Sequence, residues 1–174
     1  MTKLISTRSS IVSKNWKGIE FMSVAARLAE LGITLPDNFG ALASYVPSRR
    51  SGNLVFIAGQ GPIAGGKAVM RGKLGREFTV AEGVEAARMS IINGLAVIKR
   101  EIGDLDRVTQ IVKLNGYVNS TDDFEDQHLV INGASELLVE IFGETGRHAR
   151  AAVGTNTLPF GVPVEIEMVV EVKL

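Results

Sequence analysis

Hydrophobic positions along the chain recur with two different periods, and these divide it into elements. Val84, Ala87, Ile91, Leu95 and Ile98 fall at helical spacing. Thr79-Val80-Ala81-Glu82 opens that run as a capping box, in which Thr79 and Glu82 satisfy each other's free amides. This long helix ends near Gly103. Gly83 and Gly94 are costly inside it, so close packing is expected at both. A second apolar stripe, Val130, Ala134, Leu137, Leu138 and Ile141, predicts another long helix capped by Thr121 or Asp122 and ended by Gly143. A shorter helix is predicted over Met22–Leu31, with Gly32 as its C-cap.

Strand signals lie between and after these helices. Ser44–Pro47 reads as a short strand, Leu54–Ala58 as the next, with a turn over Arg49–Asn53. Gly61–Gly66 reads as a loop and Ala68–Arg71 as a third short strand. Val108–Val118 is a longer strand, and two strands close the chain. In the first of these, alternation puts His148, Arg150, Ala152 and Gly154 on one face, and Ala149, Ala151 and Val153 on the other. In the second, Val164, Ile166, Met168, Val170 and Val172 alternate with Glu165, Glu167, Val169 and Glu171. The order is β-β-(β)-α-β-α-β-β after an N-terminal helix. It predicts an α+β fold, a mixed β-sheet with two long helices packed on one face. The other face, carrying Ala, Gly and Val, then needs a cover.

Composition narrows the possible functions. At 174 residues and 45% hydrophobic content, the chain suits one compact domain with a real core. Residues 1–21 stand apart: Lys3, Arg8, Lys14 and Lys17 face only Glu20, and Ser and Thr are frequent. They read as a flexible N-terminal extension to a single domain over 22–174. The 19 basic and 19 acidic residues balance, which argues against binding nucleic acid through phosphate neutralisation. The chain has no cysteine, which removes thiolate nucleophiles and disulfides and fits a cytoplasmic location. No apolar run reaches the length of a membrane span, so no membrane partner is expected. His128 and His148 are the only histidines, and no Asp/His spacing supports a metal site.

Arg150 is the best candidate for chemistry. It is flanked by alanines and followed by a glycine, which leaves room around a planar guanidinium fork for a carboxylate. The plainer alternative is a salt bridge to Glu165 or Glu167. A carboxylate in a partly buried cleft has its pKa raised, so either glutamate is a candidate for handling water and protons.

Four motifs, in order, carry a family resemblance that spans roughly Leu35 to Leu174. They are Tyr45-Val46-Pro47 with Gly52-Asn53-Leu54-Val55-Phe56-Ile57-Ala58-Gly59-Gln60; Val112-Lys113 through Tyr117-Val118 with Asp123-Phe124; Ala149-Arg150 through Val153 with Leu158-Pro159; and Val164-Glu165-Ile166-Glu167. Together they resemble the YjgF/RidA family, also described as L-PSP endoribonuclease-like, whose best-known members are reactive enamine/imine deaminases. The segments Val130–Ser135 and Gly146–Arg150 mark a divergent subfamily.

The resemblance implies a chorismate-mutase-like fold assembled as a trimeric barrel, a homotrimer with sites between subunits. It implies that Arg150 holds a substrate carboxylate and that Glu165 handles the catalytic water. Tyr45 matches a tyrosine near the ligand, and Gln127 falls where the family has an asparagine at the pocket rim. Ala58-Gly59 matches the Ser-Gly of the family's strand, with one hydroxyl lost and the Gly59 amide free to bond a carboxylate. Ala152 stands where many deaminases carry a cysteine. His148 shares the Arg150 face and is a candidate to line the same pocket. The implied function is hydrolysis of a 2-imino or enamine acid to a 2-oxo acid and ammonia, without a cofactor. A non-catalytic protein that binds a small carboxylate or 2-oxo acid is the alternative, and ribonuclease action gains no support from the charge balance.

Overall fold

A computed structural model describes residues 22–37 and 43–174. The proposed extension over 1–21 lies outside the described residues. Among the described residues the α-helices and β-strands follow in the order α1 (Val24–Glu30), β1 (Ser48–Ser51), β2 (Leu54–Gln60), β3 (Ile63–Ala64), β4 (Lys67–Ala68), α2 (Val80–Ile102), β5 (Val108–Asn119), α3 (Gln127–Phe142), β6 (Ala149–Thr155) and β7 (Val164–Val172).

Five strands form one mixed sheet in the order β1-β2-β7-β5-β6. Neighbours are antiparallel except β5 and β6. A parallel pair needs a crossover, and α3 supplies it. The core lies between this sheet and helices α2 and α3. Val55, Ile57, Ile111, Leu114, Ile166, Met168 and Val170 point from the strands at Ala87, Ile91, Leu95, Ala134, Leu137 and Leu138 of the helices. The strict alternation of buried and half-buried residues along β7 is the burial counterpart of its sequence pattern.

The capping box at Thr79 and Glu82 forms as expected, with Thr79 N–H donating to Glu82 Oε2 at 2.8 Å and Glu82 N–H donating to Thr79 Oγ1 at 3.3 Å. The helical glycines do mark close packing. A Cβ on Gly94 would come within 2.6 Å of Met168 Cε, and one on Gly83 within 2.7 Å of Leu74 Cδ1.

Several boundaries differ from the sequence reading, and of the strand expected over Ala68–Arg71 only Ala68 is paired, in β4. Ser44–Pro47 is not a strand; pairing begins at Ser48, and a tight turn at Gly52–Asn53, shorter than the turn expected over Arg49–Asn53, folds β1 onto β2. The expected loop at Gly61–Gly66 contains most of a two-strand hairpin, β3–β4, turned by Gly65 and Gly66 at positive φ. Helix α3 starts at Gln127, not after Thr121 or Asp122, and its N-cap Asp126 makes no side-chain capping bond.

Among the described residues, nothing covers the sheet face away from the helices. Phe56 is 45% exposed and Val153 46% exposed on it. Tyr117, Glu165 and Glu167 share that face.

Candidate functional site

Strand β6 is the sheet edge beside α3, and its small residues let a guanidinium lie flat between the two. Arg150 pairs in register with Leu114, whose side chain is fully buried under the helices, so Arg150 points to the helix face. Its Nη1 donates to Asn132 Oδ1 at 2.9 Å and to Ser135 Oγ at 3.1 Å, and its Nη2 donates to the His128 carbonyl at 3.2 Å. All three acceptors are neutral. Among the described residues, no carboxylate pairs with the guanidinium and its Nε–H meets no acceptor.

The other residues of that face gather around it. Ala152 packs against the core. A Cβ on Gly154 would sit 3.0 Å from Gln127 Nε2, and Gln127 in turn donates to the Phe124 carbonyl at 2.6 Å. His148 contacts Ser135 through Nε2 at 3.1 Å and the Gly146 carbonyl through Nδ1 at 2.7 Å. Its pKa is lowered, first by burial and then by the Arg150 charge, against the raising effect of the Gly146 bond. His128 is exposed and offers Arg150 its backbone, not its ring.

Glu165 stands on the opposite face. It pairs with Tyr117, one position out of phase with the buried Leu114 and Val118, and so points away from the helices. Across from it, β2 shifts register between Ile57 and Gln60, and this bulge carries Ala58 and Gly59. Gly59 comes so close to the Glu165 carboxylate that a Cβ at position 59 would overlap Glu165 Oε1. Glu165 has no hydrogen-bond partner among the described residues. Burial raises its pKa, and the neighbouring Glu167 charge raises it further.

Glu167 is by contrast firmly held. Asn115 Nδ2 donates to its Oε1 at 2.8 Å and the Tyr117 hydroxyl donates to the same oxygen at 2.9 Å. The bond to Glu167, followed by burial, pushes the Tyr117 pKa up. Beside Glu167 a cavity of about 310 Å³ opens, lined among others by Arg49, Phe56, Ala58, Lys113 and Asn115. Tyr45 lies at its margin, sharing a shallow depression with Val46, Arg49 and Ala58.

The expected site residues thus form two groups. Arg150, His148 and Ala152 lie on the helix face, with Gln127 beside Gly154 of the same strand; Gly59 and Glu165 meet on the open face, with Tyr45 beside Ala58. One chain does not bring Arg150 and Glu165 together, and the salt bridge between them considered from sequence is absent. Asn132, Ser135, Asn115, Tyr117, Arg49 and Lys113 were not singled out from sequence. Asn115 and Tyr117 had a usable signal, since they share one face of β5 and alternate with the apolar Leu114 and Val118 and the small Gly116. Asn132 and Ser135, three apart beside an apolar stripe, share one flank of α3 and carry the weaker one.

Residues 25–171 match the model of a family described as "YjgF/chorismate mutase-like, putative endoribonuclease". The chain is 45% identical over 151 residues to Protein TCP17 of Trypanosoma cruzi, covering 86% of this chain and 94% of that one. It is 30% identical to the RutC family protein y4sK of Sinorhizobium fredii, covering 79% and 94%. The crystal structure of Atu1372 from Agrobacterium tumefaciens, a protein of unknown function, superposes with a TM-score of 0.81 at 45% identity, covering 91% of this chain and 97% of that one.

Proposed function

The chain belongs to the YjgF/chorismate mutase-like family, and we propose that it hydrolyses reactive 2-imino or enamine acids to 2-oxo acids and ammonia in clefts between the subunits of a homotrimer. The observation that carries this reading is a pair of unneutralised groups on opposite sheet faces. Among the described residues, Arg150 has no carboxylate partner and the Glu165 carboxylate has no donor. Each is half of a site. A second copy laid against the uncovered face joins Arg150 of one subunit to Glu165 of its neighbour, and covers Phe56 and Val153.

In that cleft the substrate carboxylate takes the free side of the Arg150 guanidinium. Glu165 lies against Gly59, where the missing side chain leaves the carboxylate access to the reacting carbon. Its raised pKa suits it to take a proton from water as the oxygen adds to the imine carbon, and to give it back to nitrogen as the carbon–nitrogen bond breaks. The imine is already electrophilic, so the chain's own residues suffice for the addition and elimination. Burial is the main cause of the Glu165 shift, and Glu167, tied to Asn115 and Tyr117 two residues away, adds to it.

Ammonia and 2-oxo acid released from a freshly generated 2-imino acid, in excess of the spontaneous rate, is the expected result. A protein that binds 2-oxo acids through Arg150 yet never accelerates that release would be a carboxylate-binding module of the same fold. Ribonuclease action, named in the family description, is not supported by a chain whose formal net charge is zero.

A further inference from the structure

Ser135 and His148 form a hydrogen-bonded pair for which the imine chemistry above has no use. Ser135 lies on α3, and His148 immediately precedes β6. Ser135 Oγ and His148 Nε2 are 3.1 Å apart, and His148 Nδ1 is 2.7 Å from the Gly146 carbonyl oxygen. A carbonyl can only accept, so Nδ1 carries the ring proton and donates it there. In the neutral ring Nε2 is then the acceptor, and the Ser135 hydroxyl donates to it. Burial and the Arg150 charge both favour that neutral ring.

The serine oxygen is also charged from the other side. Arg150 Nη1 donates to Ser135 Oγ at 3.1 Å. A hydroxyl oxygen has two lone pairs. One receives Arg150 and the other stays open. The Arg150 guanidinium, which meets no carboxylate among the described residues, stabilises negative charge on that oxygen and on any carbonyl oxygen drawn against it. The arrangement is a nucleophile, a base whose proton position is fixed by a third group, and an anion stabiliser within hydrogen-bonding reach. On the β6 face toward Ser135, Arg150 is followed by Ala152 and Gly154, so beyond Arg150 itself the strand presents only small residues there.

We propose that Ser135, activated by His148 and supported by Arg150, is a nucleophile toward small activated acyl esters, giving the chain an acyl-transfer activity separate from imine hydrolysis. Ser135 Oγ forms a bond to the acyl carbon while its proton passes to His148 Nε2. The bond from that carbon to the leaving oxygen breaks, and His148 returns the proton to the departing alcohol. Water repeats the sequence on the acyl-serine, releasing the acid and restoring the hydroxyl. The activity uses no group from the open sheet face, so it does not depend on Glu165 or on assembly.

The test treats the full chain with p-nitrophenyl acetate and, separately, with a biotinylated fluorophosphonate, and locates the modified residue by peptide mass spectrometry. The expected result is a nitrophenol burst of about one equivalent per chain, with the adduct on Ser135. Ser135→Ala is expected to lose both the burst and the adduct. His148→Gln is expected to slow acylation about a hundredfold without changing the circular dichroism spectrum. No adduct on Ser135 in the unaltered chain, or an equal burst from Ser135→Ala, overturns the proposal. So does an unchanged acylation rate in His148→Gln, which would leave the cluster as a tie between β6 and α3. The readout is independent of imine hydrolysis, so either activity can fail alone.

Discussion

Glu165 lies across Gly59 so closely that the two positions leave no room for a Cβ between them. The contact depends on the bulge that pushes Ala58 and Gly59 out of the β2–β7 ladder. Gly59→Ala therefore displaces the Glu165 carboxylate, which can swing away because it is the far end of a flexible side chain. Imine hydrolysis is expected to fall by about a hundredfold, the usual consequence of moving a catalytic group by an ångström. The melting temperature is expected to change little. Steady-state kinetics beside calorimetry checks this, and full activity in Gly59→Ala would separate Glu165 from the chemistry.

Glu165→Gln is expected to raise stability at neutral pH while abolishing hydrolysis. The folded state raises the Glu165 pKa above its unfolded value, so between the two pKa values the folded chain binds more protons. Stability from this group is therefore lost as pH rises through that window and stays lost above it. Glutamine removes both the burial penalty on the charge and the repulsion from Glu167. Each kcal/mol recovered would raise Tm by roughly 2–4 °C in a chain of this size. Thermal melts of both proteins across the acid to neutral range read the effect, which must vanish where Glu165 is protonated in both states.

His148 works in the opposite direction. Its folded pKa is lowered, so the unfolded chain binds more protons as pH falls below the ordinary histidine range. Its contribution is complete above the unfolded pKa and is lost on acidification toward the folded one. His148→Gln is expected to flatten that part of the pH–stability curve. An unchanged slope would mean that the ring is not held neutral by its surroundings.

The two long helices and the closing strands were legible in the sequence because their burial follows a single period. Thr79–Glu82 and the β7 alternation leave little choice of register with the core. β1 was misplaced because an edge strand of Ser and Arg buries too little to carry an apolar signal, and β3–β4 is too short to show a period. The start of α3 was missed because Asp126 caps it without a side-chain bond. The candidate site was legible residue by residue but not in space. Alternation sorts Arg150 from Ala151 and Glu165 from Ile166 within each strand. Which face of β6 matches which face of β7 depends on how both pair with β5, through Leu114 and Tyr117, and pairing register is a tertiary property.

Arg150→Lys keeps the charge but loses the planar fork. Carboxylate affinity is expected to drop roughly ten- to a hundredfold, corresponding to a charge-assisted contact of about 1.5–3 kcal/mol. Lysine also cannot reach Asn132, Ser135 and the His128 carbonyl together, so a modest loss of stability accompanies it. Titration of a 2-oxo acid into both proteins, followed calorimetrically, measures the first effect. Equal affinity would place the carboxylate elsewhere, with the cavity beside Arg49 and Lys113 the next candidate.

The separation of Arg150 and Glu165 onto opposite sheet faces permits a test that neither variant gives alone. Arg150→Ala and Glu165→Gln should each be inactive, and each is expected to remain trimeric by light scattering. Refolded together in equal amounts, they form mixed assemblies. A cleft is intact where the Glu165→Gln chain supplies Arg150 and the Arg150→Ala chain supplies Glu165. In a cyclic trimer that combination arises at each cleft with a chance of one half times one half, so about a quarter of wild-type activity should return. If both residues served a site within one chain, every site would carry a lesion and mixing would restore nothing. Recovery that appears only after refolding together, and not on simple mixing of the assembled variants, would tie the activity to the interface.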